Sequence, residues 1–138
     1  MSQVQKEAKK GEGRYRTCCL LLDFEDRAKL YARIDQRVDA MVEAGVLVEA
    51  KRFWREKLSP TALQAIGYKE FFPYFEGEAT LPECIEKLKQ DTRRYAKRQL
   101  TWFRRREDQH RLLVDTFESF PFLYKKAAEF LENDLGLC

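Results

Sequence analysis

The chain has 138 residues, enough for one domain, and its 44% hydrophobic and 13% aromatic content excludes a disordered tail. Charged residues make up 36% and sum to only +3, which excludes a polybasic chain yet hides a strong local asymmetry. No apolar run approaches the ~18 residues that suggest a membrane-spanning helix, so no membrane partner is expected.

Residues 1–14 are polar, contain Gly11 and Gly13, and read as a flexible lead-in. They hold no apolar core of the kind a secretory leader needs. Thr17 to Leu22 is a short continuous apolar run, including Cys18 and Cys19. It predicts a strand over Arg16 to Asp23, buried on both faces. Cys84 and Cys138 complete the cysteines, with no C-x-x-C pair and a single histidine, His110. A zinc site is therefore not expected. Reduced thiols in a cytoplasmic protein are the plain reading.

Leu30, Ile34, Val38, Met41 and Val42 recur at three- and four-residue spacing, which puts them on one face of a helix. Gly45 is a natural stop. A second helix is expected from Val46, carrying Leu47, Ala50, Phe53 and Trp54, with Ser59-Pro60 as punctuation. The segment TALQAIGYKEFFPYFEGE then looks helical, with Gly67 in its interior and Pro73 near its end. Such a glycine costs ~1 kcal/mol in a helix relative to alanine, and often marks a close approach to the backbone.

Thr80 followed by Glu83 is a capping box, and Pro82 suits an early helical position. The helix they open is expected to run from about Leu81 to about Arg105. Ile85, Leu88, Thr92, Tyr95, Gln99 and Trp102 form one stripe of it, with Tyr95 and Trp102 expected to face the core. A strand is expected at Leu112 to Val114 and a last helix from Phe117 to Glu132, stopped near Gly136.

The stretch TRRYAKRQLTWFRRR, residues 92–106, carries seven cations, three aromatic residues and no acid. Cations near the end of a helix complement its dipole, worth ~0.3–1 kcal/mol each, but that does not account for seven. With no acid inside the stretch, the cations repel one another, and a polyanion would relieve the repulsion. Basic groups that hold a backbone, beside rings that stack unpaired bases, suit nucleic acid. Arg33 and Arg37 lie one turn apart. Spacing favours ion pairing with Asp35, Asp39 or Glu43, although two guanidiniums on one face could also clamp a phosphate. His110 reads as a surface residue without a dyad or ligand partner, and Glu70 and Glu76 form no paired-carboxylate arrangement. No G-x-x-x-x-G-K-[ST], G-x-G-x-x-G or Ser-His-Asp set occurs. The residues alone indicate a mostly helical RNA- or DNA-binding piece.

LYARIDQRVDAMVEAGVLVEA (30–50), ALQAIGYKEF (62–71) and TRRYAKRQLTWFRR (92–105) occur in this order and spacing. Together they resemble the C-terminal part of the tRNA dimethylallyltransferase family, from about Tyr15 to about Asp115. The resemblance implies transfer of a dimethylallyl group from its diphosphate to N6 of a flipped-out adenine 3′ of the anticodon. The implied partners are the tRNA anticodon stem-loop and dimethylallyl diphosphate. By resemblance, Arg37 contacts the diphosphate. Gln64, Ala65, Ile66, Gly67, Tyr68 and Lys69 form one tRNA-contacting segment. Thr92, Arg93, Arg94, Tyr95, Ala96, Lys97, Arg98 and Gln99 form a second.

The fold implied is the C-terminal part of an α/β phosphate-loop-type parallel sheet, seen here as mainly α: four to six helices with one or two short strands. The divisions implied are the lead-in (1–14), the tRNA-binding core part (15–116) and a C-terminal helix (117–138). The family's phosphate loop, its general-base aspartate and the ligands of its Mg²⁺ are expected in an N-terminal half that this sequence lacks. The chain alone is accordingly expected to be inactive and to self-associate through exposed core surface. A stand-alone RNA-binding module without catalysis is the alternative, and a DNA-binding helical protein the third reading.

Overall fold

The structure, a computed structural model, describes residues 15–56 and 66–136. The expected lead-in, the Ser59-Pro60 break, Gln64, Ala65 and Cys138 lie outside the described residues. The chain divides into two compact units. Residues 26–105 form one; the segments up to Glu25 and from Arg106 onward form the other.

The first unit is helical. Helix α1, Arg27–Glu43, starts where the Asp26 side chain accepts the Ala28 N–H at 2.8 Å, satisfying one of the free donors of its first turn. Its expected apolar face holds: Ile34 and Val38 are buried and Met41 and Val42 half-buried. Gly45, at φ +97°, turns the chain into α2, Val46–Glu56, which buries Val46 and Ala50. A turn and a short 3-10 segment, Lys69–Phe71, lead to α3, Phe72–Glu76, closed by Gly77 in the left-handed region. Helix α4, Leu81–Phe103, opens with the expected capping box. The Glu83 carboxylate accepts the Thr80 N–H at 2.8 Å, and Thr80 Oγ1 faces the Glu83 N–H at 3.5 Å.

Val38, Val46, Ala50, Phe71, Cys84 and Leu88 make one buried cluster. A side chain the size of Phe71, fully enclosed here, is worth roughly 1.5–3 kcal/mol on burial. Two ion pairs latch α1 to α4 beside this core, Asp39–Lys89 and Asp35–Arg93, both at 2.6 Å.

The second unit pairs two parallel strands, β1 (Leu20–Asp23) and β2 (His110–Leu113), with Leu20 opposite His110 and Leu22 opposite Leu112. Strands that run parallel need a long crossover. A 3-10 segment, Val114–Thr116, and helix α5, Phe120–Leu135, complete the unit. Leu21 and Leu112 are buried, as is Asp23, whose carboxylate accepts from Arg111 Nε at 2.6 Å. Such a pairing is what a buried charge requires.

Five helices and two parallel strands among the described residues give the mainly α architecture expected. Several details differ. The first strand begins at Leu20, and it is buried on one face, not two, because Leu22 is 59% exposed. Gly67 is not inside a helix. It sits in a turn at φ +112°, where a side chain would be strained. The second strand begins at His110, two residues early, and the last helix runs from Phe120 to Leu135.

Candidate nucleic-acid interface

Helix α4 changes role along its length. Its stripe packs at Ile85 and Leu88, then emerges: Tyr95 is 45% exposed and Trp102 60%. The expectation that Tyr95 and Trp102 face the core is thus overturned, because the buried cluster contacts only the first half of the helix. Beyond Leu88 the same stripe walls an open cavity of about 620 Å³. Thr92, Tyr95, Ala96 and Gln99 line it from α4, Arg37, Ile34 and Met41 from α1, and Ile66 and Gly67 from the turn. Three segments separated in sequence therefore meet at one concavity. Its floor is apolar, and its polar groups are a hydroxyl, a phenol, an amide and one guanidinium.

Arg37 is exposed and meets no acidic partner among the described residues. The ion-pair reading that its spacing favoured does not hold, because its two neighbouring aspartates are engaged by α4: Asp35 by Arg93 and Asp39 by Lys89. A cation left at the lip of an apolar cavity is suited to an anionic group.

The Gly67 turn is fixed from below. Glu70 is 5% exposed, and its Oε2 accepts the Gly67 N–H at 2.9 Å. Reasoning from spacing gave Glu70 no role; its function here is to hold the turn. Tyr68 points away from the cavity. Its ring stacks on Phe53 at 4.6 Å and its hydroxyl donates to Glu49 at 3.0 Å, a bond that, with burial, pushes the phenol above its usual range. Lys69 is exposed. Glu76 accepts from Trp54 Nε1 at 3.2 Å.

Six of the seven cations separate into two groups. Arg93 is half-buried between Asp35 at 2.6 Å and Glu86 at 2.9 Å, and these carboxylates hold its guanidinium above its ordinary value against the cost of desolvation. Arg94 approaches Asp91 at 3.6 Å and Arg106 meets Asp108 at 2.8 Å. The mutual repulsion inferred from the sequence is thus relieved in part by acids just outside the stretch or across on α1. Lys97, Arg98 and Arg105 meet no acidic partner among the described residues. With Arg94, Thr101 and Trp102 they line a shallow surface hollow of about 470 Å³. Arg98 lies 5.9 Å from the centre of the Tyr95 ring, and Trp102 packs edge-on against Phe103 at 4.8 Å. This face offers unneutralised cations beside exposed rings, the pairing that holds a phosphate backbone and stacks splayed bases. No carboxylate lines the 620 Å³ cavity, so its described residues do not fit Mg²⁺.

Comparison with known proteins agrees with the resemblance read from the motifs. A model of the family described as IPP transferase matches residues 1–106. The tRNA dimethylallyltransferase of Enterococcus faecalis is 53% identical over 115 residues, 82% of this chain and 37% of that protein. That of Shouchella clausii is 50% identical over 103 residues, 74% of this chain and 33% of that one. Among solved structures, the tRNA isopentenylpyrophosphate transferase of Bacillus halodurans superposes with a TM-score of 0.75 at 37% identity, over 98% of this chain and 46% of its own. The tRNA delta(2)-isopentenylpyrophosphate transferase of Staphylococcus epidermidis gives 0.78 at 30% identity, over 96% and 43%. The chain therefore spans about a third to under a half of the length of these relatives.

Proposed function

Since the chain belongs to the IPP transferase family, we propose that it supplies the tRNA-gripping part of a tRNA dimethylallyltransferase, together with one arginine for the prenyl diphosphate. One observation carries this reading: Arg37, the Gly67 turn and the Thr92–Gln99 stripe wall a single cavity. In this reading a planar base lies between the apolar floor and the Tyr95 ring, the Gln99 amide hydrogen-bonds its edge, and the Thr92 hydroxyl, which donates to the Leu88 carbonyl at 2.8 Å, can accept from it. The adjoining cations, Arg94, Lys97, Arg98 and Arg105, suit the backbone of an anticodon stem-loop whose adenine has been flipped toward the cavity.

In the reaction so proposed, N6 of the adenine bonds to C1 of the dimethylallyl group as the C1–O bond to the diphosphate breaks, and N6 gives up a proton. The Arg37 guanidinium stabilises charge gathering on the departing diphosphate. Fixed charges of this kind are worth most where water is excluded. The base for the N6 proton, the phosphate loop and any Mg²⁺ ligands belong to parts of the family outside this sequence, so the 138-residue chain alone is expected to transfer no prenyl group. Incubation with tRNA, dimethylallyl diphosphate and Mg²⁺, followed by nucleoside mass spectrometry, checks this; catalytic turnover would refute it.

The grip is tested by titrating a labelled anticodon stem-loop and a same-length duplex across a salt series. The hairpin is expected to bind more tightly, with a salt slope that falls by about 1 for each phosphate contact removed. Arg94→Glu/Arg98→Glu should abolish the preference with helicity intact by circular dichroism. Equal binding of both nucleic acids by the folded chain would refute the grip.

A further inference from the structure

The residues of the second unit raise a separate possibility for chemistry. Cys18 lies just before β1, His110 opens β2, and Asp134 is in the last turn of α5. Their ligand atoms all lie within 4.8 Å of one another, and each side chain is half-buried. His110 Nε2 and Asp134 Oδ2 are 2.8 Å apart. We propose that Cys18 Sγ, His110 Nε2 and Asp134 Oδ2 form a binding site for a divalent transition ion of the zinc class, with water in the fourth position.

The donor set argues for that class. One thiolate, one imidazole and one carboxylate match the mixed sulfur, nitrogen and oxygen preference of zinc, while a thiolate does not suit Mg²⁺ or Ca²⁺. The geometry is close to what a tetrahedral ion needs. Bonds of about 2.0–2.3 Å place donor atoms roughly 3.3–3.8 Å apart. Entry of the ion would part His110 from Asp134 by under about 1 Å and draw the thiolate inward. The ligands are also held in place. The His110 ring stacks on Phe130 at 4.1 Å and 11°, and Arg16 donates to the Asp134 main-chain oxygen at 3.0 Å. His110 would bind through the Nε2 lone pair with its ring proton on Nδ1. The Cys18 S–H would release its proton to solvent.

Without an ion, the surroundings favour the neutral thiol, which metal binding must overcome. Partial burial, followed by the hydrogen bond and charge of Asp134, pushes the Cys18 thiol up. The His110 bond, with a smaller contribution from Cys18, holds the Asp134 carboxyl down. A doubly charged ion would reverse the first effect and reinforce the second. The unit also has reason to be tethered. Helix α5 contributes no buried residue, and an ion bridging it to the strands would supply what a small apolar core does not. The residues come from three segments far apart in sequence, so spacing rules for zinc motifs could not find them.

The test is titration of the full chain with Co²⁺, followed by Zn²⁺. Expected are one Co²⁺ per chain, intense tetrahedral visible bands, and a near-ultraviolet thiolate-to-cobalt charge-transfer band that Zn²⁺ bleaches. Cys18→Ser should lose the charge-transfer band, while Cys19→Ser, Cys84→Ser and Cys138→Ser keep it. His110→Gln should weaken binding at least about tenfold; if that variant unfolds, Asp134→Asn is expected to do the same. Absence of the charge-transfer band in the folded chain, or its survival in Cys18→Ser, would overturn the assignment.

Discussion

Arg93 and Lys97 stand one turn apart on α4 and carry the same charge, yet their surroundings assign them different work. Arg93 spans from α4 to Asp35 on α1 and back to Glu86; Lys97 opens onto the cationic hollow. An ion pair of this partial exposure is worth about 1 kcal/mol at most. Arg93→Ala is therefore expected to lower unfolding stability by up to about 1 kcal/mol in urea denaturation and to change hairpin affinity little once folded. Lys97→Ala should leave stability within about 0.5 kcal/mol and weaken hairpin binding, with a shallower salt slope. The reverse pattern would mean that the paired arginine, not the open lysine, meets the RNA. Partner choice at this scale was not legible beforehand. Spacing along one helix suggests i±4 partners, and it is silent on Asp35, which arrives from another helix.

At the scale of elements, the start of α4 was legible because every interaction that defines it is local. Thr80 and Glu83 are three residues apart, and the capping box needs nothing from the rest of the fold. The Gly67 turn was not legible for the opposite reason: its segment has helical composition, and the bond that holds the turn comes from Glu70, whose burial depends on the rest of the fold. Legibility of the cavity lay between these cases. The motifs singled out residues that line it, while their convergence depended on packing at Phe71 and Leu88. The cap gives a prediction with a defined pH sense. The Thr80 hydroxyl, and then the Thr80 N–H, hold the Glu83 carboxyl below its ordinary range. A group depressed on folding contributes stability that is present above its unfolded value and lost as pH falls through its folded value. Thr80→Ala should cost about 1 kcal/mol at neutral pH. The gap from wild type should narrow as pH falls through the acidic carboxyl range; a gap that widens on acidification would contradict this account of the cap.

For the whole molecule, two surfaces of opposite chemistry compete to control behaviour in solution. Seven of the chain's 26 cations lie within residues 92–106, so the rest is net acidic despite a total of +3. Elsewhere the chain presents large apolar groups to water: Leu22 at 59% exposure, Phe120 at 74%, Phe122 at 56% and Tyr124 at 66%, with the Phe120 and Tyr124 rings 6.5 Å apart. Exposed apolar groups of this kind favour association, whereas a cationic face favours binding of a polyanion by releasing counterions. Salt separates them. Raising sulfate concentration screens the cations and strengthens apolar burial, so RNA affinity should fall while self-association rises. Light scattering coupled to size-exclusion chromatography should show mass increasing with protein concentration and with sulfate, and Phe120→Ser/Tyr124→Ser should shift the chain toward monomer without altering hairpin affinity. If added salt dissociates the oligomer instead, its contacts are ionic, and the self-association belongs to the basic helix meeting the acidic remainder of a second copy.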